Sequence, residues 1–208
     1  MARAGKFAPI SKRVRSRTPS AKVEQSIVDA AEHLLIAEGP DALTVRGIAS
    51  AAGVAPMGVY NHLGGKQGVL DALLVRGFDG LSAVMADIAS DDAFEDLLEA
   101  GRRYRQYARE HPSHYALMFE RSDGEYQPSQ LVLEHAAASF GGLEQLVRRA
   151  MAAGVLAEDD PVEVAQAIWS AVHGSVVLEL HGIGFCADAL QNQEFLSEML
   201  LRGLRSGR

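Results

Sequence analysis

The sequence predicts an all-α protein: an N-terminal helix-turn-helix unit of three helices, followed by a larger helical body. Apolar residues recur at intervals of three and four along almost the whole chain, and no stretch alternates with the period of two that a half-buried strand needs. Capping residues, prolines and glycines cut that periodicity into segments of helical length. The most specific observation is the stretch from Thr44 to Leu70, TVRGIASAAGVAPMGVYNHLGGKQGVL. It reads as two short helices flanking a tight glycine turn, with an aromatic, an imidazole, a glycine pair and a lysine after them.

The elements follow in chain order. Val23, Ile27, Ala30, Ala31, Leu34 and Leu35 form the stripe of a first helix that opens at Thr18-Pro19 or Ser20 and closes at Gly39-Pro40. Thr44 caps a second helix that buries Val45, Ile48 and Ala49. Gly53 supplies the positive φ of the turn, and a third helix runs from about Ala55 to His62 with Val54 and Val59 packing back. Ala49 and Ala52 are small enough for the two axes to cross closely. A long helix from Lys66 or Gln67 toward Ile88 carries Val69, Leu70, Leu73, Leu74, Phe78, Leu81 and Met85 and joins the two parts.

Asp92-Ala-Phe-Glu95 resembles a capping box for a helix that ends near His111-Pro112, and Ser113 restarts a shorter one through Phe119. The polar segment from Arg121 to Gln127 reads as a loop. Pro128 begins a helix that reaches about Ala153, with Gly154 as its C′ residue. Asp160-Pro-Val-Glu163 opens the next, through about His181, and the last spans about Asn192 to Leu204. The expected organisation is a flexible basic arm at 1–20, the helix-turn-helix unit at 21–66 and the body at 67–208.

Composition bounds the partners. A chain of 208 residues that is 48% hydrophobic can bury a substantial core. Its longest apolar runs are short and interrupted, for instance Ala171 to Leu180 with His173, Gly174 and Glu179 inside, so no membrane span is expected. The first twenty residues are basic and polar rather than a signal-peptide apolar stretch, and the single cysteine, Cys186, fits a reducing cytoplasm. The formal charge of -7 hides a strong asymmetry. Residues 1–66 hold nine Lys and Arg against five Asp and Glu, a net of +4 that leaves -11 for the rest. A positive front on an acidic body presents one end to a polyanion. Six of the cations lie in the first twenty residues, where they either follow phosphates or a minor groove or only solubilise the tail.

The Thr44 to Leu70 stretch resembles the DNA-binding signature of the TetR family of bacterial transcriptional regulators. Gly53, Val54, Val59, Tyr60, His62, Lys66 and Leu70 fall where that signature has its turn glycine, core residues, aromatic, polar ring, lysine and helix-four leucine. Ile168-Trp169-Ser-Ala-Val-His173-Gly174-Ser-Val-Val-Leu178-Glu179 is similar to the Trp…His-Gly helix of one TetR subgroup. His111-Pro112 with Tyr115 and Met118-Phe119 matches the same subgroup's interhelical break. The chain departs from the pattern at Ala55, where a hydroxyl is common, at Leu63, where an aromatic is usual, and at Gly64-Gly65, which loosens the link to Lys66.

The resemblance implies a DNA-binding regulator, most often a repressor released from a palindromic double-stranded operator by a small-molecule effector. Tyr60, His62 and Lys66 are then phosphate clamps, and their phenol, ring donor and ammonium suit that task. Thr44 either holds another phosphate or only caps its helix, and Tyr60 is either wholly at the surface or partly core. Base reading falls to Pro56, Met57, Gly58 and Asn61, with Arg46 near the edge; Asn61 can pair with adenine and Met57 can touch a thymine methyl. So few bidentate side chains imply substantial readout of DNA shape.

In the body, Phe78, Met85, Tyr104, Tyr107, Tyr115, Met118, Phe119, Phe140, Trp169 and His173 are the aromatic and sulfur residues available to line an effector cavity, or to form plain core. His173 sits one turn from Trp169 and either orients a ligand or satisfies a buried hydrogen bond. In the family the last two helices of each subunit build a four-helix dimer bundle. Ile168, Val172, Val176 and Leu180, with Val164, are the expected contacts on one helix, and Phe195, Leu196, Met199 and Leu200, with Leu204, on the other. No phosphate-cradling loop, metal-spaced cluster or nucleophile elbow appears, so neither catalysis nor a cofactor is expected. A regulator that binds DNA without any effector is the alternative that keeps this fold.

Overall fold

The computed structural model describes residues 20–120 and 126–205. Most of the basic arm and most of the expected loop at 121–127 lie outside the described residues. The described residues form nine α-helices: α1 (Ser20–Glu38), α2 (Val45–Ala51), α3 (Pro56–Leu63), α4 (Lys66–Met85), α5 (Ala93–Glu110), α6 (Pro112–Phe119), α7 (Gln130–Ala152), α8 (Pro161–Leu180) and α9 (Ala189–Gly203). Among the described residues there is no strand, only a lone antiparallel bridge between Leu156 and Arg205. The all-α expectation holds.

The helix ends show how local chemistry sets these boundaries. Thr44 accepts the Gly47 N–H at 3.0 Å, Asp160 accepts those of Val162 and Glu163, and Gly154 turns the chain after α7 with φ +70°. Asp92 caps α5 through the Phe94 and Glu95 N–H groups, but the box is only half formed. The Asp92 N–H goes to Ser90 Oγ, while the Glu95 carboxylate turns away to Arg102. α4 stops at Met85, short of Ile88, which tucks into the core after the helix has ended. α9 starts one turn earlier than expected because Asp188 accepts the Gln191 N–H at 3.0 Å.

Three apolar clusters hold the helices together. The first joins Ile27, Leu35, Ile48, Val59 and Leu73 in the N-terminal unit, then continues along α4 to Phe78, Leu117 and Val132. The second packs α5, α7, α8 and α9 around Leu97, Val147, Leu156, Ala165 and Leu201. The third contains Leu81, Tyr104, Tyr107, Tyr115, Val172 and Val176. The apolar core therefore crosses residue 66 without a break, and α4 belongs to both parts.

That double duty depends on close approaches. A Cβ at Gly68 would lie 1.7 Å from the Leu63 carbonyl oxygen, so only glycine lets the end of α3 rest on the start of α4. Gly68→Ala is expected to cost about 3 kcal/mol or more, the upper range for overpacking, because the obstacle is backbone and cannot rotate away. Gly141→Ala, in the middle of α7 where a Cβ would meet nothing within 4 Å, should instead stabilise by roughly 0.5–1 kcal/mol. Urea melts of the two variants check both signs; a Gly68→Ala chain as stable as the parent would refute the packing argument.

Candidate functional site

α2 and α3 meet through Ala49, Ile48 and Val59, with Val54 half-buried in the turn between them. Gly53 takes φ +66° there. This packing turns one side of α3 outward. Pro56, Met57, Tyr60 and Asn61 are exposed on it, as are Thr44, Arg46 and Lys66 at the flanking helix ends. Met57, Tyr60 and Asn61 stand at i, i+3 and i+4, hence on one face. Gly58 is different: a Cβ there would point at Val54, 3.4 Å away, so this position packs against the turn rather than facing outward.

The open choices of the sequence are settled in part. Thr44 does cap α2. Tyr60 is 54% exposed, with its ring edge lying over Gly65 so closely that a Cβ there would come within 2.9 Å. His62 is half-buried and its Nδ1 lies 3.2 Å from Ser20 Oγ, which ties the end of α3 to the start of α1. Neither α3 nor α4 has a side-chain N-cap. α3 opens on Pro56, which has no N–H, and its Gly58 N–H already meets the Ala55 carbonyl at 2.7 Å, so it is the first amides of α4, with the positive end of its dipole, that are left for an anion.

In the body, an apolar cavity of about 450 Å³ lies among α4, α5, α7 and α8. Phe78, Met85, Tyr104, Phe119, Phe140 and Trp169 line it as expected. Sequence reasoning missed Leu97, Ala100, Leu143, Leu146 and the α8 residues Ile168 and Val172, whose only signal was membership of an apolar stripe, and Gly101, which gave no signal. Among the described residues, no charged side chain lines the cavity.

Four expected lining residues do other work. Tyr107 packs its ring on Gly80 and donates its hydroxyl to the Gly77 carbonyl at 2.7 Å; burial pushes its pKa up to about 12. Met118 fills the space beside Gly77. Tyr115 is fully buried, and His173 lies behind the wall rather than on it.

His173 Nδ1 is 2.8 Å from the Tyr104 hydroxyl and 2.7 Å from that of Tyr115, and the Trp169 indole N–H donates to Tyr104 Oη at 3.1 Å. Burial holds the His173 imidazole below its ordinary pKa, so it is neutral. The chain of donation runs from Trp169 to Tyr104 to Tyr115 and ends on His173 Nδ1 as acceptor. Two further residues finish the attachment of α8 to α5: Glu179 accepts two hydrogen bonds from Arg105, both 2.6 Å, in a largely buried bidentate pair. His173 therefore satisfies a buried hydrogen bond; it is not placed to touch a molecule in the cavity.

The expected dimer contacts divide in two. Ile168, Val172 and Val176, with Val164, point into the subunit's own core and have no exposed surface to offer, and Leu180 is half-buried against the third cluster. α8 has apolar residues on several sides, and the large ones face inward. Its outer face carries Ala167, Ala171, Gly174 and Leu178 instead, at helical spacing. On α9, Phe195 is 68% and Met199 55% exposed, while Leu196 and Leu200 are half-buried.

The two sites are linked by ions as well as by α4. Arg76 on α4 reaches Asp29 at 2.6 Å and Glu32 at 2.5 Å on α1, and Glu32 also meets His114 Nε2 on α6 at 3.0 Å. Just after the undescribed segment, Tyr126 donates its hydroxyl to Asp71 and the Gln127 carbonyl accepts from Gln67.

A helix pair with an outward-facing second helix, mounted through a shared helix on a body with an internal apolar cavity, is the architecture of a helical DNA-binding transcriptional regulator. Residues 97–203, just over half the chain, match the tetracyclin repressor-like C-terminal domain, and residues 27–73 match the bacterial regulatory proteins of the tetR family. The chain belongs to the TetR family. It is 29% identical over 194 residues to the HTH-type transcriptional regulator Rv0681 of Mycobacterium tuberculosis, covering 92% of this chain and 84% of that one. A Rhodococcus sp. RHA1 structure superposes with a TM-score of 0.80 at 25% identity, covering 94% of this chain and all of the other. The flavonoid-responsive regulator FrrA superposes with a TM-score of 0.66 at 23% identity, over 90% of this chain and 100% of its own, a likeness of fold.

The buried imidazoles give this architecture a defined acid response. His114, packed against Glu32, His111 and Arg76, and His173, packed against Tyr104 and Tyr115, are both held below the ordinary value, chiefly by burial. In the unfolded chain an imidazole titrates near 6.5, so below about pH 6.5 the unfolded state binds more protons. The stability they contribute is complete above that pH and is lost as the pH falls through the depressed folded values. The melting temperature should thus drop between pH 7 and pH 5, before the low carboxyls of Asp29 and Asp96 titrate. Replacing His173 by Gln should flatten that drop, and a melting temperature independent of pH across this interval would contradict the neutral assignment.

Proposed function

We propose that the protein is a homodimeric repressor that leaves a palindromic operator when a small apolar or aromatic effector enters the cavity. The observation that carries this reading is the cavity itself: about 450 Å³ of largely apolar space, one wall of which is the helix whose first residue is Lys66. Such a volume suits a small-molecule ligand. In this reading the protein works in the cytoplasm, residues 21–66 are the reader and residues 67–208 the sensing and dimerising part.

At the DNA, Tyr60, Lys66, Thr44 and Arg46 hold phosphates, the ammonium of Lys66 standing beside the uncapped start of α4. His62, whose Nδ1 is engaged by Ser20, offers its other ring nitrogen. Pro56, Met57 and Asn61 face base edges, and Gly58 only allows α3 to sit close to the turn. Lys66→Ala should weaken binding to all sequences and reduce the salt slope of the dimer by about two, one for each subunit, whereas Asn61→Ala should relax preference at one base pair of each half-site. Fluorescence anisotropy at several salt concentrations separates the two; a sequence-selective loss in Lys66→Ala would reverse the assignment.

Dimerisation is assigned to the outer faces of α8 and α9, with the small residues Ala167, Ala171 and Gly174 letting helices from two subunits approach and Phe195 and Met199 filling the seam. Gly174→Glu together with Met199→Glu should give a folded monomer that has lost specific operator binding, since two readers must stand about 34 to 36 Å apart on one face of the duplex. Light scattering checks this, and an unmodified chain that is monomeric at micromolar concentration would end the dimer reading. The release mechanism is tested by titrating apolar and aromatic compounds against the preformed operator complex. An effector must bind the released state better, by about 1 to 3 kcal/mol on a typical scale. If every compound that binds the body leaves operator affinity unchanged, the protein is a constitutive DNA binder.

A further inference from the structure

The apolar cavity has a polar rim. Toward α5 its lining is closed, and Leu97, Ala100, Gly101 and Tyr104 are all buried. Among the described residues the lining reaches the surface between α7 and α8, where Ala137 and Gln166 are exposed and Ala136, Ser139 and Phe140 are half-buried. Ser139 precedes Phe140 on α7, and Gln166 stands one turn before Trp169 on α8. Those two rings meet edge to face with centroids 6.2 Å apart, so the two polar side chains flank one ring pair at the mouth.

The polar groups inside the cavity differ from those at its mouth. On the inner side the donors are spent: Trp169 Nε1 donates to Tyr104 Oη at 3.1 Å, and that hydroxyl donates on to Tyr115 Oη at 3.3 Å. At the mouth they are not. Ser139 Oγ has no hydrogen-bond partner among the described residues. Gln166 gives its Nε2 to Ser170 Oγ at 3.1 Å, which leaves its Oε1 without a partner there. A hydroxyl able to donate and a carbonyl able to accept therefore border the opening. Both are within reach of water, so a ligand group that meets them replaces hydration and gains the modest net worth of a hydrogen bond.

We propose that Ser139 and Gln166 select the polar end of the effector. The ligand lies with its apolar body among the aromatic walls and leaves one uncharged end group at the mouth, which accepts from Ser139 Oγ and donates to Gln166 Oε1, as a carboxamide does. This rests on the reading of the cavity as a ligand site and adds the chemistry and the orientation of the ligand. A polar end turned inward would be buried against groups that are already paired. A carboxylate at the mouth is selected against twice: among the described residues no cation lines the cavity, and Glu163 stands exposed one turn before Gln166 on the same side of α8. An ammonium has no lone pair to accept the Ser139 proton.

The test uses compounds that share one apolar body. Hexylbenzene has no polar end, methyl 4-hexylbenzoate has an end that only accepts, and 4-hexylbenzamide has one that accepts and donates. Binding to the full chain is followed through Trp169, the only tryptophan, and by thermal shift. Ser139→Ala should weaken both the ester and the amide about fivefold, the scale of one net hydrogen bond, whereas Gln166→Met should weaken the amide alone by a similar factor. Hexylbenzene should bind the parent and both variants alike, which shows that the apolar space is intact. The 4-hexylbenzoate anion should bind less tightly than the amide, and tighter binding would overturn the uncharged end. An amide affinity that is the same in the parent and in both variants, or a loss that hexylbenzene shares in full, overturns the role of the mouth while leaving the cavity a ligand site. If none of the compounds perturbs Trp169 or the melting temperature, the cavity reading fails as well.

Discussion

The fold depends on one helix being a wall of two cores at once. α4 carries Val69, Leu70 and Leu73 into the core of the N-terminal unit and Phe78, Leu81 and Met85 toward the cavity of the body. A single helix can do this only if its neighbours approach closely on several sides, and glycines at three positions permit it. Gly68 admits the Leu63 carbonyl, Gly77 the Met118 sulfur and Gly80 the Tyr107 ring. Each glycine weakens the helix by roughly 0.5–1 kcal/mol relative to alanine, so α4 holds its shape through its packing rather than its propensity. The consequence for function is mechanical: the reader and the cavity share a rigid part, and neither can shift far without the other sensing it.

The Trp169, His173 and Glu179 pattern on α8 was visible in the sequence, but its role was not. Its members stand at i, i+4 and i+10, and all three turn out to engage α5 or α6: Trp169 and His173 through Tyr104 and Tyr115, Glu179 through Arg105. A stripe with an indole, an imidazole and a carboxylate reads equally well as a ligand site or as a buried polar seam, because spacing gives the face and not what the face meets. The partners come from α5 and α6, more than fifty residues away, and that pairing is tertiary information. Burying this many polar groups is safe only when each has a partner, which the seam achieves around the two tyrosine hydroxyls.

Helix existence and the reader were legible for a simple reason. Caps, glycine turns and periodicity act within a few residues, so Thr44, Gly53, Asp92 and Gly154 announce their roles locally. The places where the sequence misled share one cause, competition between two apolar faces. On α8 the larger side chains Ile168, Val172 and Val176 suggest the stickier surface, yet the larger residues are needed inside the subunit, and the outer face is left with alanine and glycine. The wall residue Gly101 lay beyond reach for a related reason: a missing side chain has no hydrophobic signal.

On the proposed reading, the size of the effector response follows from what joins the cavity to the reader. Phe119 faces the cavity and His114 meets Glu32 of α1, and the two stand five residues apart on α6, about 7.5 Å along its axis. Over that distance a helix moves as a unit, so a ligand that displaces Phe119 displaces the His114 contact too. Arg76 holds the same Glu32 from α4, where Phe78 is the matching wall residue. Hydrogen bonds to charged groups are worth roughly 1.5 to 3 kcal/mol each, and the coupling free energy typical of ligand-driven switches is about 1 to 3 kcal/mol. Weakening one contact to Glu32 is therefore enough to bias the angle at which α1 and its attached reader sit, and no rearrangement of the reader's own core is required. The apolar packing of α4 carries the position of the two parts, and the Glu32 cluster supplies an energy small enough for one ligand to overcome.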